Sequence, residues 1–505
     1  MLTIRNLTSL SIVISFCWNF AHAQFPEFAI SKTEVEGHLR FLASDALQGR
    51  NTGSEGNKIA AAYIAAQLEA YGVQKPAATN SYFQPVDLEQ IQPITQATLT
   101  WNKNTFKQKE TLMMLHGQGS TLNAKAIFAG HGWVDEAQGI NDYEGLDVKG
   151  KIVITNIGLP NDRSPQATFQ AITKKRELAK AQGAIAVVEL FQLGKNFWTL
   201  ATNYFGNPSM ELASAADTPK DLPAYGWILE GDTKFSEEIK KGKKNKVILT
   251  SNASKVEKIK SDNVIGVIYG SNPALREEYV VLSAHYDHVG AGKQGGGAYT
   301  EQDSIFNGAR DNAFGTTALL TAAKALAAAP PERSVIILAV TGEEKGLLGS
   351  RYYANNPIFP LEKTIYNFNT DGAGYNATDR VTIFGLGRTG TDSLLLKGAA
   401  EFGLTVNDDP APEQGLFDRS DNVSFAAKGV PAITYSPGFT AFDATIMQYY
   451  HQVTDNPDTI DFDYLTLYAR AFSYTARLLA NIPTRPFWVA GDKYEAMGKK
   501  LYGVE

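Results

Sequence analysis

Two adjacent carboxylates, Glu343 and Glu344, stand in the stretch GEEKGLLGS, directly after the apolar run SVIILAV. Like charges so close repel, and a surface loop has no need of the pair. A metal site does. One carboxylate binds the ion while its neighbour, pointing elsewhere, moves a proton. If extended backbone continues into the pair, successive side chains point to opposite sides. One of the two then reaches a metal and the other faces the water.

The remaining donors follow other apolar runs. YVVLSA leads into His285, with Asp287 two places on, and KTIYNFN leads into Asp371. Asp311, in NGARDNAFG, starts a helix after a glycine-rich loop, and His451 stands in YYHQVTDNPDTID. Imidazole and carboxylate without thiolate favour zinc, with cobalt or manganese as alternatives. If one carboxylate bridges two ions, each ion has a histidine, a terminal carboxylate and the shared bridge. Metal binding lowers the pKa of water toward about 7. A carboxylate that is not a ligand takes the proton.

These donors need a scaffold that brings strand ends together. From Asn263 to Ile482, near-continuous apolar runs alternate with helical segments such as TTALLTAAKALAAA. That texture predicts an α/β fold: a central, mostly parallel mixed sheet sandwiched by helices. Ligands in such sheets gather at the carboxyl ends of the strands. From Ser31 to Gly72 the pattern is helical, with Ala60, Ile64, Leu68 and Tyr71 on one face and Gly72 as a stop. Between them lie short β-like runs, AIFAG and KIVITNIG, and the helix-to-strand unit KKRELAKAQGAIAVVELF. The expected division is 1–23 leader, 24–111 first part of the main domain, 112–250 inserted β-rich module and 251–505 the rest.

The 505 residues are 44% hydrophobic and 20% charged, enough for a sizeable core. A net charge of -6 without a long basic tract argues against a nucleic-acid partner. Arg5, the apolar stretch Leu7 to Phe20 and Ala21-His22-Ala23 read as an export signal cleaved before Gln24, so a secreted or periplasmic protein without a membrane span is expected. The single cysteine, Cys17, falls inside that signal; lipid attachment there is the minor alternative. Neither disulfides nor thiol chemistry is expected of the mature chain.

Taken together, these motifs resemble the di-zinc aminopeptidases of metallopeptidase family twenty-eight, over Ser31 to about Ile482. The resemblance implies peptide substrates and two zinc ions. It implies His285 and Asp371 as ligands of one ion, Glu344 and His451 as ligands of the other, and Asp311 as the bridge. Glu343 matches the general base, Asp287 the acid that orients the ligand histidine, and Tyr450 a tyrosine that stabilises the oxyanion. A cis peptide between Asp311 and Asn312 is implied as well. The module around NDYEGLDVKGKIVI is similar to a protease-associated domain. The chain departs from the family at Arg310, Phe314 and Asn422, positions expected on the substrate-facing wall.

Alternatives within hydrolases are a related di-zinc carboxypeptidase and a single-zinc enzyme similar to glutaminyl cyclases. From another class, GLGRTG (Gly385 to Gly390) follows the run RVTIF, precedes a helical segment and has Asp408 at the spacing of a dinucleotide fingerprint. An exported protein sits away from nicotinamide pools, and the match falls between two metal donors. A serine hydrolase lacks its nucleophile elbow, and Ser283, His285 and Asp287 are too close in sequence to converge as a triad. A binding protein with a dead site would lose ligands, whereas here the set is complete. His288 duplicates no ligand role and is expected beside the site or in a loop. His38, His116 and His131 are expected to do no chemistry.

Overall fold

Three seven-residue runs, Tyr279–His285, Ser334–Val340 and Thr364–Thr370, are buried along their whole length. Strands with no polar face need cover on both sides, and that is how they are used. In this computed structural model, which describes residues 25–504 apart from 118, 163–164, 214–220 and 244, they form the middle of a nine-stranded sheet. The expected leader 1–23, with Cys17, lies outside the described residues.

Four central strands, Ser334–Val340, Tyr279–His285, Thr364–Thr370 and Ala432–Pro437, run parallel in that order. The margins are mixed. Lys255–Ile268 and Phe83–Gln92 add antiparallel on one side. Arg380–Phe384 adds antiparallel on the other and pairs in parallel with Thr405–Asp408. On one face the alanine-rich helix Phe314–Ala328 packs against Phe462–Ala480, where small side chains let the axes approach. The opposite face is closed by Tyr353, Phe425 and Trp488. Among the described residues no helix is long and apolar enough to cross a membrane.

The N-terminal helical pattern consists of two helices, Lys32–Leu42 and Glu55–Ala70. Ser31 and Ser54 cap them by accepting the Glu34 and Asn57 amides. The break between them holds Gln48, Gly49 and Arg50 in left-handed backbone, a change of direction that helical periodicity does not report. A second sheet of eight strands is drawn from Ala97 to Ser251, so its strands Ala97–Trp101 and Asn104–Lys107 fall before residue 112. One segment of the intervening chain leaves that sheet. Ser209–Leu212 pairs antiparallel with Phe83–Gln92 and forms the outer edge of the main sheet, Leu88 opposite Leu212.

Candidate metal centre

The carboxyl ends of the parallel strands converge on Asp311. His285 ends its strand with its imidazole buried, and its Nε2 lies 3.1 Å from Asp371 Oδ1 and 3.3 Å from Asp311 Oδ1. Asp311 Oδ2 lies 3.2 Å from His451 Nε2, which is also 3.1 Å from Glu344 Oε2. The two oxygens of one carboxylate thus face two different histidines. Two donor groups result, His285 with Asp311 and Asp371, and His288 with Asp311, Glu344 and His451, each with its donor atoms within 4.8 Å of one another. The Asp311–Asn312 peptide is cis.

Three buried or half-buried carboxylates this close repel unless positive charge intervenes. The protein alone meets that demand with protons. Burial opposes a charge on His285, but Asp371, Glu343 and the contact with Asp311 outweigh it and hold its pKa well above the usual range. His451 is likewise disfavoured by burial, yet Glu344 and Asp311 push it up to about 11. Asp421, fully buried near His285, is raised by burial to about 7. A donor set that gathers protons in this way fits divalent cations, which replace those protons.

Glu343 and Glu344 do not sit on extended backbone. The strand ends at Val340, and Gly342, at φ +70, turns the chain into a 3-10 turn, Glu343–Lys345. Strand alternation therefore does not separate the two side chains; the turn does. Glu344 faces His451 and His288, whereas Glu343 lines the pocket beside Asp371 and Tyr450. Burial raises the Glu343 pKa; His285 opposes, and Asp371 and Glu344 add to the rise.

Asp287 is placed differently from the expectation. His285 Nδ1 lies 3.2 Å from the main-chain carbonyl of Asp287 and 3.9 Å from its carboxylate. The carboxylate instead accepts the Thr52 hydroxyl (2.9 Å) and the Glu343 amide (3.1 Å). Tyr450 lies at the pocket wall, its ring stacked on His451 at 4.2 Å, and its hydroxyl accepts from Arg419 at 3.3 Å. Burial, with Asp311 and Glu344, holds that hydroxyl firmly protonated.

The three departures lie away from the pocket lining, contrary to expectation. Arg310 is buried, ion-paired with Asp455 (3.0 Å) and stacked 3.6 Å over Tyr449. Phe314 packs against Tyr468, and Asn422 accepts from Thr434 inside the core. The wall is instead apolar, made by Phe384, Leu416 and Phe442 with Arg419 beside them.

His288 is buried, 2.7 Å from Glu344 Oε1, and beside the site as expected. His38 is held between the hydroxyls of Tyr63 and Tyr71, and His116 and His131 lie in the second-sheet region. The glycine loop after Arg380–Phe384 does not suit a dinucleotide. Its Gly387 amide donates to the Asp392 carboxylate, which places negative charge where a pyrophosphate would have to sit. Sequence reasoning missed Ser420, whose hydroxyl donates to Asp371 Oδ2 (2.5 Å), and the segment Arg50 to Thr52 that grips the His285 loop. The signal for the latter was LQGRNTGS, two glycines and a lone arginine between helices.

Residues 263–476, which contain every one of these donors, match the model of Peptidase family M28, and this segment belongs to that family. Over 172 residues the chain is 30% identical to the vacuolar membrane protease of Saccharomyces cerevisiae, covering 34% of this chain and 15% of that protein. Over 115 residues it is 31% identical to aminopeptidase YwaD of Bacillus subtilis, covering 23% and 22%. The matches thus span small parts of these relatives. The fold as a whole is similar to that of an aminopeptidase from Aneurinibacillus sp. strain AM-1, at a TM-score of 0.57 and 20% identity, covering 89% of this chain and 94% of that one.

Proposed function

We propose that this protein is a di-zinc aminopeptidase that releases N-terminal residues from peptides. The observation that carries the reading is Asp311, one carboxylate facing His285 with one oxygen and His451 with the other, beside a pocket that Glu343 lines. His285 and Asp371 would hold one ion, Glu344 and His451 the other, with Asp311 shared. Zinc there supplies Lewis acidity toward a carbonyl oxygen and a lowered pKa for water.

The chain's own groups do the rest. Glu343, its amide anchored on Asp287, takes the proton of the attacking water and delivers it to the leaving amine. The Tyr450 hydroxyl receives a hydrogen bond from Arg419, which leaves its own proton free to donate toward the carbonyl oxygen as charge develops there. Phe384, Leu416 and Phe442 offer the N-terminal side chain an apolar wall and exclude water. The leader-like segment ending at Ala23 supports export, and the β-rich region within 97–251 supports a protease-associated insert.

The test is a panel of free and N-blocked peptides assayed alongside metal analysis. Cleavage confined to unblocked peptides, with about two zinc ions per active chain as expected of a paired site, supports the reading. Full activity in metal-free protein, or equal cleavage of blocked peptides, overturns it.

A further inference from the structure

Arg50 joins three separate parts of the chain without lining the pocket. Its side chain is 1% exposed, and all its hydrogen bonds go to main-chain carbonyls. Nε donates to Tyr286 (2.8 Å), Nη1 to Leu42 and to Asn307 (2.7 Å), and Nη2 to Gly308 (3.1 Å). Tyr286 lies between His285 and Asp287. Gly308 precedes Asp311 by three residues. One planar fork therefore ties the end of the first helix to the two loops that present donors on either side of the site.

The backbone around Arg50 is shaped for that task. Gln48, Gly49 and Arg50 are all left-handed, at φ 49, 67 and 48. A Cβ on Gly49 would stand 2.2 Å from the Gly290 carbonyl oxygen and 2.6 Å from that of Phe306, so only glycine fits there. The Arg50 carbonyl in turn accepts the His288 amide (3.3 Å), and Thr52 donates to Asp287. The segment clasps the HYDHVG stretch from both sides.

We infer that Arg50 is a positioning residue for the metal centre: its fork holds the His285 and Asp311 loops in register, so that zinc affinity depends on it although it touches no ligand side chain. The inference rests on the zinc reading above. A fixed cation so near the carboxylates also makes an opposing contribution. Asp287, Asp311, Asp455 and Glu344 all act on its charge, and burial still pulls its pKa down to about 10. Charge alone repels zinc; positioning favours it. The sign of the effect separates the two.

The experiment is zinc titration of the intact protein, wild type against Arg50→Gln, Arg50→Lys and Arg477→Gln, at a temperature well below every melting transition. Arg477 is another buried arginine, paired with Glu27 and bonded to none of the partners of Arg50, so its loss loosens the fold without touching the clasp. Positioning predicts that Arg50→Gln weakens zinc binding about 10–100-fold, the usual scale for groups that support ligands. Arg50→Lys, which keeps the charge and loses the fork, should weaken it similarly, while Arg477→Gln should not. Tighter or unchanged zinc binding by Arg50→Gln overturns the inference, as does an equal loss in Arg477→Gln. If Arg50→Gln does not fold, Arg50→Lys decides in the same terms. A wild-type protein that binds no zinc overturns the functional reading itself, whereas equal binding by wild type and Arg50→Gln overturns this inference alone.

Discussion

The carboxylate of Asp287 accepts the main-chain amide of Glu343 at 3.1 Å. An acid two residues beyond a candidate metal donor, His285, therefore fixes where the neighbouring turn places the residue proposed for proton transfer. Replacing it by asparagine keeps its size and removes the charge. For Asp287→Asn we expect kcat to fall about 10–100-fold, the scale for outer supporting groups, with KM little changed. Steady-state kinetics beside zinc analysis decide it, and an unchanged kcat would show that the contact is idle.

Glu343 and Glu344 should fail in different ways. Glu343→Gln keeps shape and neighbours but removes the proton acceptor. Metal content should stay near normal while turnover falls about 10²–10⁴-fold, as for a lost general base. Glu344→Gln should bind one metal more weakly, so added zinc recovers part of its activity. Zinc rescue of the Glu343 variant instead would reverse the assignment of the pair.

Stripping the metal should expose a pH dependence of stability. His451, raised to about 11, holds its proton more tightly folded than unfolded, so its contribution is full below about 6.5 and is lost as pH rises toward 11. Asp421, raised to about 7, acts in the same direction from about 4 to 7. Melting temperatures of chelated protein should therefore decline as pH rises from 5 to 10, and zinc should flatten that decline by taking the protons' place. A metal-free protein whose melting point rises over this range would contradict the charge balance derived for the site.

The apolar wall of the pocket predicts a preference for large apolar N-terminal residues. Phe442 meets the Tyr450 ring edge-on at 5.9 Å, so Phe442→Ala opens space beside the reacting bond. We expect kcat/KM for such substrates to fall about tenfold or more, with less effect on alanine-type ones. Equal losses across all side chains would mean the wall does not read the substrate.

His285, Glu344 and Asp371 were legible as candidate donors because they sit where an apolar run stops, a pattern that sequence preserves. His285 ends a buried strand, Asp371 directly follows one, and Asp311 lies just ahead of the helix Phe314–Ala328. Glu343 and Glu344 do follow an apolar run, but a turn and not strand alternation sets their directions. The φ of Gly342, which ends the extended backbone, leaves no trace in hydrophobic periodicity. The contacts of Arg50 could not be read because three of its four partners are carbonyls contributed by residues about 240–260 positions away, and carbonyls belong to every residue type. Arg310, at a position expected on the substrate-facing wall, is buried on Asp455 and Tyr449, a pairing that only the folded chain reveals.

The edge strand Ser209–Leu212 bears on how this chain could be engineered. Met210 packs with Val86, Leu88 and Leu348, the last of these three residues beyond the Glu343–Lys345 turn. Excising residues 97–251 to obtain a minimal peptidase would strip that strand away with the second sheet. Phe83–Gln92 would then present a ten-residue run with one side unpaired, the kind of border along which chains associate edge to edge. A trimmed enzyme should keep a graft of Ser209–Leu212 or carry charges or proline on Phe83–Gln92; otherwise it should leave solution as aggregate before its loss of turnover can be measured.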